Sequence, residues 1–227
     1  LVLLSYVTDS FTKEATFNFT LFREHTKIAQ RLMDDLVDLE TEKIDAILAK
    51  IKADPEPDTI KHNEISLWQR VKRFNEEGRR TGTGITALGD TLAALGIDYG
   101  SKEAIEMTGQ IYRTLKLGCY ESSVDMAEEL GAFKVYDADL EKKCPFIARI
   151  AEEDSKLYAR MVKTGRRNIS LTTTAPTGSV SLLTRTTSGI EPLFMTSYTR
   201  RKKINANEKD AKVDFVDQNG DSWQEFV

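Results

Sequence analysis

Cysteine, histidine and long apolar runs are all scarce in this chain, and each scarcity closes off a class of function. Two cysteines, Cys119 and Cys144, stand far apart with no CxxC partner, which excludes a disulfide-built secreted scaffold and a dithiol redox motif. They read as structural thiols of a reduced, cytoplasmic protein. The two histidines, His25 and His62, have no cysteine beside them, so no zinc site or other metal site is predicted. No apolar run approaches the roughly 20 residues that span a bilayer, which predicts no membrane partner. The opening LVLLSYVTDSF lacks a basic n-region and a small-residue cleavage site, so it is not a signal peptide. Net charge is only −4, too little positive field to gather nucleic acid. The basic groups Arg79-Arg80, Arg166-Arg167 and Arg200-Arg201-Lys202-Lys203 read as solvated turns and helix ends. No glycine run is followed by GK[ST], so the phosphate loop of the Walker type is missing. Internal repeats and low-complexity tracts are also lacking.

What is present describes a folded, helix-rich protein. The 40% apolar and 30% charged residues are globular proportions, and the length is enough for a sizeable core. A strand is predicted over Leu1–Val7 and a helix over Leu21–Ala53, with Ile28, Leu32, Leu36, Ile44, Ile47 and Ile51 at helical spacing. Asp34, Asp35 and Asp38 read as its solvated face. Asp54-Pro55-Glu56-Pro57 ends it. A second helix is predicted over Glu64–Arg79 with Trp68, Val71 and Phe74 inward, and a short one near Ile85–Leu95. Ser101 is the expected N-cap of another, whose inner face is Ile111, Leu115, Cys119, Met126 and Leu130 and whose stop is Gly131. A further helix within Asp137–Thr164 ends at Gly165. The few strands lack partners among themselves. Both termini interrupt a pattern, so the sequence predicts a piece of a longer protein.

Two stretches carry chemistry. Gly82-Thr83-Gly84-Ile85-Thr86-Ala87 matches G-x-G-x-x-A, but a charged helix end precedes it where a dinucleotide site needs an apolar strand. It reads as a joint where backbone packs against backbone, with Asp90 as a packing or ion-pair residue beside it. The second stretch runs from Arg167 to Arg201. Ile169, Leu171 and Thr173 alternate with Asn168, Ser170 and Thr172, the period of a half-buried strand. The strand breaks at Ala175-Pro176-Thr177-Gly178-Ser179, a hydroxyl-rich turn whose free amides can hold a phosphate without lysine. A second extended stretch is predicted over Phe194–Arg201, and Asn205–Lys212 is polar.

The run TTTAPTGSVSLL, with TTSGIEPLF and YTRR after it, resembles the substrate-phosphate loop of the ribonucleotide reductase large chain. Its closest likeness is to the adenosylcobalamin-dependent class II. The block RRTGTGITALGD with LGI and YGS is similar to the helical segment that precedes that loop in the same family. The resemblance implies an α/β fold: a helix-rich piece of the family's ten-stranded α/β barrel, with few strands of its own. Residues 1–204 would be a partial catalytic barrel domain, comprising a helical segment (21–164) and a phosphate-loop segment (167–201). Residues 205–227 would be a polar connector and the start of a following segment. It further implies that Pro176, Thr177, Gly178, Ser179 and Val180 line a nucleotide's phosphates, mostly through backbone N–H groups, with the Thr177 and Ser179 side chains helping. Ser188, Gly189 and Glu191 would support the loop.

The activity implied is radical reduction of ribonucleotides, as diphosphates, to deoxyribonucleotides. The family's radical cysteine lies in Asn-x-Cys-x-Glu, which this sequence does not contain, so no catalytic residue is assigned and the chain alone is expected to be inactive. Adenosylcobalamin is the implied cofactor of the whole enzyme, on a surface mostly outside this chain. The implied partners are the ribonucleotide substrate, the remainder of the polypeptide, a thiol reductant such as thioredoxin, and a second copy in a homodimer. A class I large-subunit fragment and a non-catalytic helical interaction module are the alternatives.

Overall fold

A computed structural model describes residues 1–205, 207–208 and 210–226; Ala206 and Lys209 of the predicted polar connector, and Val227, lie outside the described residues. The chain forms two compact units, Leu1–Pro192 and Leu193–Val227. The sequence reading drew its division later, at 204/205.

In the first unit, the predicted opening strand is instead a 3-10 turn over Leu3–Tyr6, followed by β1 (Val7–Thr8) paired antiparallel with β2 (Thr16–Phe17). Helix α1 (Phe19–Ala53) starts where the Asn18 side chain accepts from the Leu21 N–H at 3.0 Å, satisfying one orphan donor of the first turn. Asp54-Pro55 stops it. Helix α2 (Asp58–Gly78) folds back along α1, with Lys72 on Asp45 and Asn75 Nδ2 on the Val37 carbonyl. Helix α3 (Leu88–Ala94) and helix α4 (Lys102–Leu130) follow, the latter capped by Ser101 and ended at Gly131 as the sequence predicts. Asp137–Thr164 is three helices rather than one: α5 (Ala138–Glu141), α6 (Pro145–Glu153) and α7 (Ser155–Thr164). Pro145 restarts the chain at N1 and the Asp154 carboxylate caps α7, so local breaker chemistry overrides the apolar periodicity.

The face that α1 buries differs from the predicted one. Ile44 and Ile51 are inside, but Ile28, Leu32 and Leu36 are more than half exposed, and Phe22, Thr26, Gln30, Asp34 and Val37 face the core instead. Gln30 and Asp34 tolerate burial because partners on segments 79–83 and 167–168 meet them, whereas the buried Thr26 hydroxyl has no partner among the described residues. Val71 and Phe74 on α2, and Leu130 on α4, are likewise exposed. Two of the basic groups read as solvated are buried: Arg79 is 7% and Arg166 3% exposed.

The core joins Leu3, Phe22, Ile85, Leu92, Ile111, Leu115, Cys119, Ile150, Met161 and Leu171. Burying each large aliphatic stabilises by about 1.5–3 kcal/mol. Through this core run three extended segments, side by side and parallel. Residues 83–86 lie in the middle, bridged to Val2 through Thr86 and to Thr172 through Thr83. Parallel neighbours need helical crossovers, and here α1–α2 and α3–α7 supply them. The fold is helix-rich with few strands, as the sequence predicts.

The second unit is a three-stranded antiparallel sheet in the order β3 (Arg200–Lys203), β5 (Ser222–Phe226), β4 (Phe215–Val216). Of the extended stretch predicted over Phe194–Arg201, only its last two residues join a strand.

Candidate functional site

Segment 166–173 delivers the chain to the site, and a buried polar network holds that segment in place. Asn168, fully buried, is predicted to point outward with Ser170 and Thr172. It instead turns in, donating from Nδ2 to Asp34 Oδ1 at 2.7 Å and accepting at Oδ1 from Ser123 Oγ and Gln30 Nε2. Gln30 donates to Thr81 Oγ1 and accepts from Thr83 Oγ1. Asp34, read as solvent-facing, is 1% exposed and also takes Arg79 Nε at 2.8 Å and Arg167 Nε at 3.2 Å. Burial alone would pull the Arg79 guanidinium down; its bonds to Asp38 and Asp34 outweigh that and leave it raised. Arg79 in turn lowers the pKa of Asp38.

The glycine joint packs as expected. A Cβ on Gly84 would come within 2.5 Å of the Thr173 carbonyl oxygen, which lets the Thr173 N–H reach the Thr83 carbonyl at 3.0 Å.

The predicted Pro-Gly turn is in fact the start of helix α8 (Gly178–Thr184), reached through Thr177 in the left-handed region at φ 52°. The N–H groups of Gly178, Ser179 and Val180 have no protein acceptor among the described residues, and no side chain caps them. All three residues and Pro176 are exposed, Thr177 is half-buried, and a Cβ at Gly178 would meet no atom. Orphan amides at a helix start, with the positive end of the dipole behind them, attract anions.

Helix α3 begins next to α8 and also through a left-handed residue, Ala87 at φ 69°. Two of the amides at its start are consumed: Ala87 N–H goes to the Thr187 carbonyl and Leu88 N–H to that of Gly189. Asp90 completes this attachment, since its carboxylate accepts from the Thr187 N–H at 2.7 Å while Thr187 Oγ1 accepts from the Asp90 N–H at 3.3 Å. Of the predicted supports, Ser188 gives its carbonyl to the Glu191 N–H, and Gly189, buried at φ 49°, donates to Thr177 Oγ1 at 2.7 Å. Glu191 is exposed and its carboxylate makes no hydrogen bond among the described residues. Sequence reasoning missed Thr86 and Thr187 as parts of the site. The only available signal was the density of threonines in the two motifs.

Beside the loop lies a cleft of about 450 Å³, lined by Leu88, Leu92, Tyr99, Ile105, Tyr112, Thr174 and Ile190. Tyr99 and Tyr112 turn their hydroxyls onto the Ile190 carbonyl and Thr174 Oγ1. Neither cysteine belongs to the site: burial pushes the Cys119 thiol up to about 12, and Cys144 is exposed at the start of α6. Among the described residues no three metal-ligating side chains gather, and no helix is long and apolar enough to cross a membrane.

A family model described as "Ribonucleotide reductase, barrel domain" matches residues 1–219. The vitamin B12-dependent ribonucleoside-diphosphate reductase of Mycobacterium tuberculosis (strain ATCC 25618 / H37Rv) is 37% identical over 123 residues, 54% of this chain and 15% of that protein. The enzyme of the same name from Thermoplasma acidophilum is 30% identical over 144 residues, 63% of this chain and 16% of its own. The ribonucleoside-diphosphate reductase large subunit of Trypanosoma brucei brucei is 25% identical over 219 residues, 88% of this chain and 23% of that subunit. The chain therefore spans under a quarter of the length of these relatives.

Proposed function

Since the chain belongs to the ribonucleotide reductase barrel-domain family, we propose that it holds the phosphates of a ribonucleoside diphosphate at the start of α8. The observation that carries this reading is the set of three unpartnered amides at Gly178, Ser179 and Val180, beside a second helix start where the amides of Ala87, Leu88 and Asp90 are already used. Backbone N–H groups donate without reference to the base, so one site serves several nucleotides. Pro176 contributes no donor and sets the approach to Thr177. The Ser179 hydroxyl is exposed and free to add a contact. Within this reading residues 1–204 are part of the catalytic barrel.

The reaction proposed for the whole enzyme is radical reduction of the ribose, in cooperation with the rest of the polypeptide, a thiol reductant such as thioredoxin, and a second copy. The names of the relatives at 37% and 30% identity support the cobalamin-dependent class. Adenosylcobalamin would supply the radical, but the residues present here do not fit it. The 450 Å³ cleft is of the size that takes a drug-sized ligand, not a corrin, and no residue of this chain is assigned to the cofactor. Neither thiol is placed to carry the radical, so this chain by itself does not reduce nucleotides.

The test is a titration of the ¹⁵N-labelled chain with a nucleoside diphosphate and, separately, with the nucleoside. The diphosphate is expected to move the amide signals of Gly178, Ser179 and Val180, and the nucleoside to leave them in place. Stationary signals at these three positions overturn the site. Deoxyribonucleotide formed by the same sample with adenosylcobalamin and a dithiol overturns the claim of inactivity.

A further inference from the structure

The hydroxyls around the loop form a one-way relay that begins and ends on the same short segment. Gly189 N–H donates to Thr177 Oγ1 at 2.7 Å, Thr177 donates to Thr86 Oγ1 at 2.9 Å, and Thr86 donates to the Thr187 carbonyl at 3.2 Å. A threonine hydroxyl owns one proton. That of Thr177 is committed to Thr86, and one of its lone pairs to Gly189. What remains on the oxygen is an acceptor, which repels an anion. Thr86 is 1% exposed and out of reach of any ligand. Thr177 also holds a left-handed backbone, uncommon for a β-branched residue and sustained only where surroundings fix it.

We propose that the Thr177 hydroxyl is not a phosphate contact and that its side chain makes Thr177 a positioning residue. With Thr86 it pins the 187–189 segment to the start of α8, so that the amides of residues 178–180 are fixed before the ligand arrives. Preorganised donors bind more tightly because no ordering cost falls on binding. This inference rests on the phosphate-site reading above and assigns the role of two side chains within it.

The experiment compares diphosphate affinity by calorimetry in the unmodified chain and in Thr177→Val, Thr177→Ser and Thr86→Val. Deuterium exchange at the Gly189 amide and a circular dichroism melt are recorded for each. Thr177→Val and Thr86→Val are expected to bind about five- to tenfold more weakly, the scale of one or two neutral hydrogen bonds. Thr177→Ser should restore binding, and Gly189 should exchange faster only in Thr177→Val. Weakening by Thr177→Val with no effect of Thr86→Val means that Thr177 touches the phosphate directly, and overturns the pin. Binding unchanged in both valine variants overturns it as well. Failure of the unmodified chain to bind diphosphate overturns the site itself and this assignment with it. Slow Gly189 exchange in a folded Thr177→Val contradicts the relay independently of any ligand.

Discussion

Asn168 spends its entire side-chain hydrogen-bonding capacity, two donors and two acceptor sites, on Asp34, the Arg79 carbonyl, Gln30 and Ser123. Fully paired polar groups of this kind fix one arrangement of the segments they join, whereas a missing partner leaves a costly orphan. Asp34 is the member with most to lose: its carboxylate faces two guanidinium groups whose side chains are only 9% and 15% exposed. Asp34→Ala is expected to destabilise the chain by about 3 kcal/mol, the cost of stranding a buried charge, read as a lower urea midpoint at neutral pH. An unchanged midpoint would show that the network contributes no net stability. These residues were illegible in the sequence for a physical reason. Asp34 and Gln30 sit on α1 in a pattern that looks like a solvated face, and only partners 45 to 138 positions away make their burial favourable.

At the scale of elements, local chemistry was readable and orientation was not. The caps at Ser101 and Gly131, the stop at Gly165 and the prolines after α1 act within a few residues of themselves, so sequence alone located them. The rotation of α1, the splitting of 137–164 and the helical start at Gly178 depend on what packs alongside. The contact between α3 and the 187–192 segment belongs to this second kind. A Cβ at Gly89 would lie 2.6 Å from the Glu191 carbonyl oxygen and 2.9 Å from Pro192 Cα, both backbone atoms that cannot swing aside. Gly89→Ala is therefore expected to lift the segment off α3 and break the Asp90–Thr187 pair. Diphosphate affinity should fall by about tenfold, as for a ligand that must now order its own site, while helical circular dichroism stays unchanged. Retention of full affinity would show that the segment is dispensable.

For the whole molecule, all the buried core residues that cluster together lie between Leu3 and Leu171, inside the unit that closes at Pro192. A chain cut after Pro192 should keep its helical signal and its diphosphate binding. Its melting point should change by no more than about 3 °C, which for a domain of this size corresponds to roughly 1 kcal/mol. Loss of cooperative melting would show that the 193–227 sheet contributes to that core's stability. The parallel trio of extended segments has a consequence for handling. Segment 168–173 is bonded on one flank to residues 78–83, while on its other flank the Ser170 and Thr172 N–H groups have no acceptor among the described residues. Such a rim is a ready rail for any stray polypeptide, including a sister molecule. Protein concentration is thus itself a variable in every titration of this chain, and dilution is the simplest guard against oligomers that answer to an open flank rather than to nucleotide.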